Sequence, residues 1–108
     1  MVYIVLTVWV PAAKGKLLGK KVIEALAKFP ADKSISNVVL QMAGSNNGCI
    51  RAISISEVVD GKIKEALSRA TRFAIFYGEA MGEDFKYSVE TLMLAMEAMR
   101  TIGMEMPE

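Results

Sequence analysis

The chain contains no histidine. That absence removes the commonest general base and the usual protein ligand of zinc and haem. A histidine-dependent triad, a zinc enzyme and a histidine-ligated haem site are therefore excluded, and no metal or cofactor is expected. Cysteine is almost as scarce: Cys49 stands alone, so no internal disulfide can form. A reducing compartment, the cytoplasm, is the expected setting. Charge is sparse too. Only 23% of residues are charged, and 13 basic against 12 acidic side chains leave +1. A nucleic-acid binder would carry a basic surplus, so no nucleic-acid partner is expected. Residues 1–54 hold seven basic and two acidic side chains, and residues 55–108 hold six and ten, so the halves carry +5 and −4. Such a split either steers subunits into one orientation or is mixed away by folding. No hydrophobic run is long enough to cross a bilayer. The apolar start, Met1 to Val10, has no basic lead-in and soon meets Pro11, so neither a membrane span nor a signal peptide is expected.

What is present is a chain of 108 residues, 53% of them hydrophobic. One domain over 1–108 accounts for that length, with no linker, repeat or low-complexity tract to divide it. So short a domain buries only a moderate share of its surface. With so much apolar side chain, either the core is generous or an interface covers the remainder.

Residues 2–10 are rich in β-branched and aromatic types. Val2, Ile4, Leu6, Val8 and Val10 fall on one face and Tyr3, Val5, Thr7 and Trp9 on the other. Both faces are largely apolar, which predicts a central strand covered on two sides. Residues 14–28 read as an amphipathic helix on Leu18, Val22, Leu26 and Phe29, ended by Pro30. Residues 35–43 form a second strand. Gly44-Ser45-Asn46-Asn47-Gly48 is a turn, and with no Lys-Ser or Lys-Thr following, it is no phosphate loop. Cys49–Val59 reads as a third strand, with Ile50, Ala52, Ser54, Ser56 and Val58 on one face and Cys49, Arg51, Ile53, Ile55 and Glu57 on the other, neither face polar throughout. A second helix follows, with Asp60 as its expected cap and Gly78 as its expected stop. Gly82–Glu90 reads as a fourth strand with one wet face. Thr91 is expected to cap a last helix carrying Leu92, Met93, Ala95, Met96 and Met99, ended by Gly103 ahead of an acidic tail.

The order β-α-β-β-α-β plus a terminal helix is the split pattern of an α+β, ferredoxin-like antiparallel sheet. Its first and third strands are central, and they are the two whose composition reads as buried on both sides. Both helices pack on one sheet face, so the other stays open unless something covers it. Hiding ~600–800 Å² per subunit at ~25 cal/mol per Å² is a gross gain of roughly 15–20 kcal/mol. Association takes back about 4–15 kcal/mol, which leaves a homodimer favoured unless the terminal helix does the covering.

A unit of this length and order, with a two-sided first strand ending in Trp9-Val10-Pro11, resembles the dimeric α/β-barrel superfamily, including small uncharacterised prokaryotic members. The resemblance spans residues 2–90 and rests on pattern. It implies two sheets facing each other around a cavity. Members include cofactor-free monooxygenases, haem-degrading enzymes and ligand-sensing domains, so it selects no single activity. The missing histidine departs from the haem-binding branches and from many of the cofactor-free oxygenases.

Among chemical groups, Arg51 and Glu57 share one face of a central strand, where a buried charge needs a partner or a purpose. Tyr3, Trp9, Tyr77 and Tyr87 offer apolar walls with polar tips. Each has a packing role as its plain alternative. Trp9, Arg51 and Tyr87 are the expected lining of any pocket. Cys49 next to Arg51 reads as a small buried residue before it reads as a nucleophile. Met93, Met96, Met99, Met104 and Met106 read as core packing or as an adaptable interface. Three readings follow: a homodimer binding a small apolar ligand without metal, a cofactor-independent enzyme of the monooxygenase or isomerase type, or a structural or interaction domain.

Overall fold

Alternating β-branched residues make Val2–Pro11 a long strand, β1, with Pro11 as its last residue. A computed structural model describes residues 1–105, so Met106 of the methionine series lies outside them. After β1 come α1 (Gly15–Lys28), β2 (Ser36–Asn46), β3 (Cys49–Val58), α2 (Ile63–Met81), β4 (Lys86–Met93) and α3 (Ala95–Thr101). The four strands form one antiparallel sheet in the order β2-β3-β1-β4. This is the ferredoxin-like arrangement, with the two compositionally two-sided strands at the centre.

Asn47 and Gly48 are the two residues between β2 and β3, both at positive φ, 51° and 77°. They close the tight hairpin expected of Asn-Gly. Register then places Val2, Ile4, Leu6, Val8 and Val10 on the face covered by the helices. Val8 and Val10 pack with Leu18 and Ala25 of α1 and with Tyr77 and Met81 of α2. Ile4 and Val58 pack with Ala66. Phe29, Phe73, Phe76 and Tyr77 join the two helices through ring contacts of 5.3–6.2 Å between centroids. No helix among the described residues is long and apolar enough to cross a membrane.

Several boundaries differ from expectation: Gly44, Ser45 and Asn46 belong to β2 and not to the turn, and β4 begins at Lys86, after a short 3-10 turn over Gly82–Asp84. The segment Thr91–Met93 is strand, not helix, because β1 still needs a partner there: Tyr3 pairs with Leu92 and Val2 with Met93. The last helix starts only at Ala95 and buries none of its residues. Asp60 does not cap α2. Gly61, at φ 80°, turns the chain first, and Lys62 occupies the cap position with no side-chain hydrogen bond. Gly78 does not stop α2, which runs on to Met81. It is small because the Phe85 ring leans on it, 3.2 Å from where a Cβ would stand. Gly82, at φ 75° and ψ −147°, makes the stop.

Candidate functional site

The six residues singled out from sequence divide between the two faces of the sheet. Trp9 stands opposite Arg51, and Tyr3 opposite Glu57, all four on the face the helices leave open. The two pairs are six residues apart along β1, about 20 Å. Tyr87 stands opposite Val8, on the helix side. Tyr77 reaches that side from α2. Trp9 and Arg51 therefore meet, but Tyr87 lies across the sheet from them, and the three do not line one pocket. The reason is pairing parity. Trp9 pairs with Lys86, so even residues of β4 share the face of odd residues of β1. Cys49 is exposed at the hairpin end. Met93, Met96 and Met104 are 44–53% exposed and so do not fill the core.

The concave feature is on the helix side. There the central strand β3 presents Ala52, Ser54 and Ser56, paired across to Val8, Leu6 and Ile4 of β1. On the other flank, β2 sets Ala43, Gln41 and Val38 against the same three residues. A face that normally carries bulky core side chains carries small ones here. The helices do not sink to meet it. Leu26 of α1, which lines the gap, stays 54% exposed. The result is a cleft of about 690 Å³ between sheet and helices. Leu18, Val22 and Leu26 of α1 and Ala70, Phe73 and Tyr77 of α2 form its roof, and Asp32, Lys33 and Arg69 stand among its lining residues.

The polar groups of the cleft are few and placed. Arg69 donates from Nη2 to the carbonyls of Phe29 and Pro30, at 2.8 and 2.6 Å. Its guanidinium lies 5.4 Å from the centre of the Phe73 ring, held from two sides. Asp32 accepts from the Ser34 N–H and hydroxyl, at 3.0 and 2.5 Å. Those bonds, with Arg69 and Lys62 nearby, hold its carboxyl below the usual range. Tyr77 is the reverse case: burial pushes its phenol from 10.0 up to about 12, so it is neutral and available as a hydrogen-bond donor. Sequence reasoning missed the floor and Arg69. The floor was visible as the Ala52-Ser54-Ser56 row, once it is known which face the helices take.

No family model and no curated protein matches the chain. Solved structures do. A de novo designed protein is 16% identical with a TM-score of 0.56, over 86% of this chain and 97% of its own. An uncharacterised protein from Thermotoga maritima is 11% identical with a TM-score of 0.54, over 86% of this chain and 100% of its own. An ACT domain protein from Streptococcus pneumoniae is 12% identical with a TM-score of 0.53, over 83% of this chain and 89% of its own. At such identities the likeness is one of architecture, and this chain has the ferredoxin-like α+β fold.

Proposed function

We propose that the chain is a homodimeric, single-domain binder of a small, largely apolar molecule, held in the cleft between the sheet and its helices without a bound metal. The observation that carries this reading is the floor of Ala52, Ser54 and Ser56 on a central strand, where packing alone calls for bulk. A cleft of about 690 Å³ falls within the size range of small-molecule sites, and so does the mixture of apolar walls with a few polar groups. The donor set supports binding over metal ligation: hydroxyls, the amides of Asn37 and Gln41, a tyrosine, Arg69, Lys33 and the single carboxylate Asp32 line it. It also favours binding over acid–base catalysis. Glu57 and Arg51 are on the other sheet face, and Asp32, held low, is a weak base.

The test is Ser54→Leu. The new side chain projects from the floor into the cleft and buries itself against Leu6 and the helices, a gain of about 1–2 kcal/mol. The unmodified protein is expected to bind the neutral fluorophore 1-aminoanthracene saturably, one per chain. Ser54→Leu is expected to weaken that binding at least about tenfold while its melting temperature holds or rises. Equal binding by a folded Ser54→Leu protein would rule out the cleft as the site.

A further inference from the structure

We infer that the molecule taken by this cleft is an apolar acid, a carboxylate on an aliphatic or aromatic body, with its anionic end at Arg69 and Lys33; the inference rests on the ligand-binding reading above. The argument begins with what Arg69 leaves unused. Both of its hydrogen bonds leave from Nη2. Among the described residues no partner takes the N–H groups of Nε and Nη1. The guanidinium is thus fixed by two carbonyls and the Phe73 ring, with three donors still to satisfy. The free N–H groups of Nε and Nη1 lie on opposite edges of the guanidinium, so a carboxylate at either one accepts a single charge-assisted hydrogen bond from a half-buried arginine. Lys33 lines the same cleft from the turn after α1.

Asp32 is the obvious competitor for these cations. Its Oδ1 is already committed to Ser34, and Lys62 as well as Arg69 lies close enough to stabilise its charge. Counting the charged residues that line it, Asp32 against Arg69 and Lys33, this end of the cleft keeps a surplus of one positive charge. Behind it the walls are Leu18, Val22, Phe73 and the β1 side chains Leu6 and Val8, which offer a charged group nothing. One end of the cleft therefore rewards an anion and the rest rewards hydrocarbon. Serine hydroxyls on the floor do not alter that polarity, since they accept and donate equally.

The experiment is displacement of 1-aminoanthracene by octanoate and by octanol, which share a chain and differ in charge. Octanoate is expected to displace the fluorophore at about tenfold lower concentration, the value of one charge-assisted pair over a neutral one. Arg69→Gln is expected to bring the octanoate curve down to that of octanol without moving the octanol curve. Because Arg69 also clasps the loop after α1, that variant can fail to fold. Lys33→Gln, on an exposed turn, and 0.5 M NaCl with the unmodified protein are then the readouts. Both are expected to shrink the octanoate preference by severalfold and to leave octanol unchanged. Octanol displacing as well as octanoate overturns the anionic end and leaves the cleft reading standing. Fluorophore that binds but yields to neither compound also overturns the inference alone. Fluorophore that does not bind at all overturns the cleft reading, and this one with it.

Discussion

At Tyr77 a side chain serves both core and cleft. It is 7% exposed, yet its ring lines the cleft, so its ionisation reports on the dryness of that space. Burial disfavours the phenolate and pushes its pKa from 10.0 up to about 12. An unfolded chain releases that proton near pH 10. Between about pH 10 and pH 12 the unfolded state therefore ionises while the folded state does not. The stability at stake is fully present below pH 10 and drains away as pH rises toward 12, by on the order of 2–3 kcal/mol. A comparison with a variant that lacks the hydroxyl isolates the effect. Urea midpoints measured across that window are expected to fall less for Tyr77→Phe than for the unmodified protein. Equal losses would show that the Tyr77 hydroxyl ionises as it does in water. Other single residues carry roles that sequence does not display. Arg69 reads as one cation of a helix face, and only the folded chain brings the Phe29 and Pro30 carbonyls to it.

Elements were legible where one local signal decides them, and illegible where the partner strand decides. The Asn47-Gly48 turn, the helical stripe through Leu18 and Val22, and the two-sided β1 all follow from spacing and side-chain type. The end of β4 does not. Thr91-Leu92-Met93 has the makings of a helix start, and pairing with Val2 and Tyr3 overrides it. Tyr87 fails for the same reason: alternation along β4 is plain, but which half of it faces Trp9 depends on register with β1. The site was legible only in part, since the small residues of β3 show in the sequence while the helix that stands off from them does not. The stop of α2 is a local signal misassigned by four residues, from Gly78 to Gly82. Gly82 adopts φ 75° and ψ −147°, a region almost closed to residues with a Cβ. Nothing lies within 4 Å of a Cβ added there, so backbone strain is the whole cost. Gly82→Ala is expected to lose about 1–3 kcal/mol by chemical denaturation. Gly78→Ala meets only the Phe85 ring and is expected to lose less. The reverse order would mean that α2 ends at Gly78 in solution.

For the molecule as a whole, the open sheet face is where a second copy is expected to pack. Val5 and Thr7 are 8% and 6% exposed at its centre. Leu40, Met42 and Leu92 on the same face are about half exposed, and no residue of α3 is buried. Four strands about 4.8 Å apart and about 30 Å long present roughly 600 Å², close to one side of a standard interface. Charge on this face is sorted by end. Arg51 and Lys86 flank Trp9. Glu57 stands beside Tyr3 and Glu90 beside Val5. Two copies stacked face to face with strands parallel would set like charges together. With the two-fold axis across the strands, each basic end meets the partner's acidic end, around a centre near Thr7 and Ile53. We therefore expect an antiparallel face-to-face homodimer. Light scattering at micromolar concentration is expected to give the mass of two chains. Val5→Asp, which buries an unpaired charge at that centre, is expected to give one, since such a charge costs several kcal/mol. The orientation has its own test. Arg51→Glu with Lys86→Glu makes both ends acidic, and Glu57→Lys with Glu90→Lys makes both basic. Each double variant alone is expected to dissociate, and an equimolar mixture is expected to regain the dimer mass, with the gain fading in high salt. A single-chain mass for the unmodified protein, independent of concentration, would defeat the dimer. Double variants that each dimerise as tightly as the unmodified protein would defeat the antiparallel register while leaving the dimer in place.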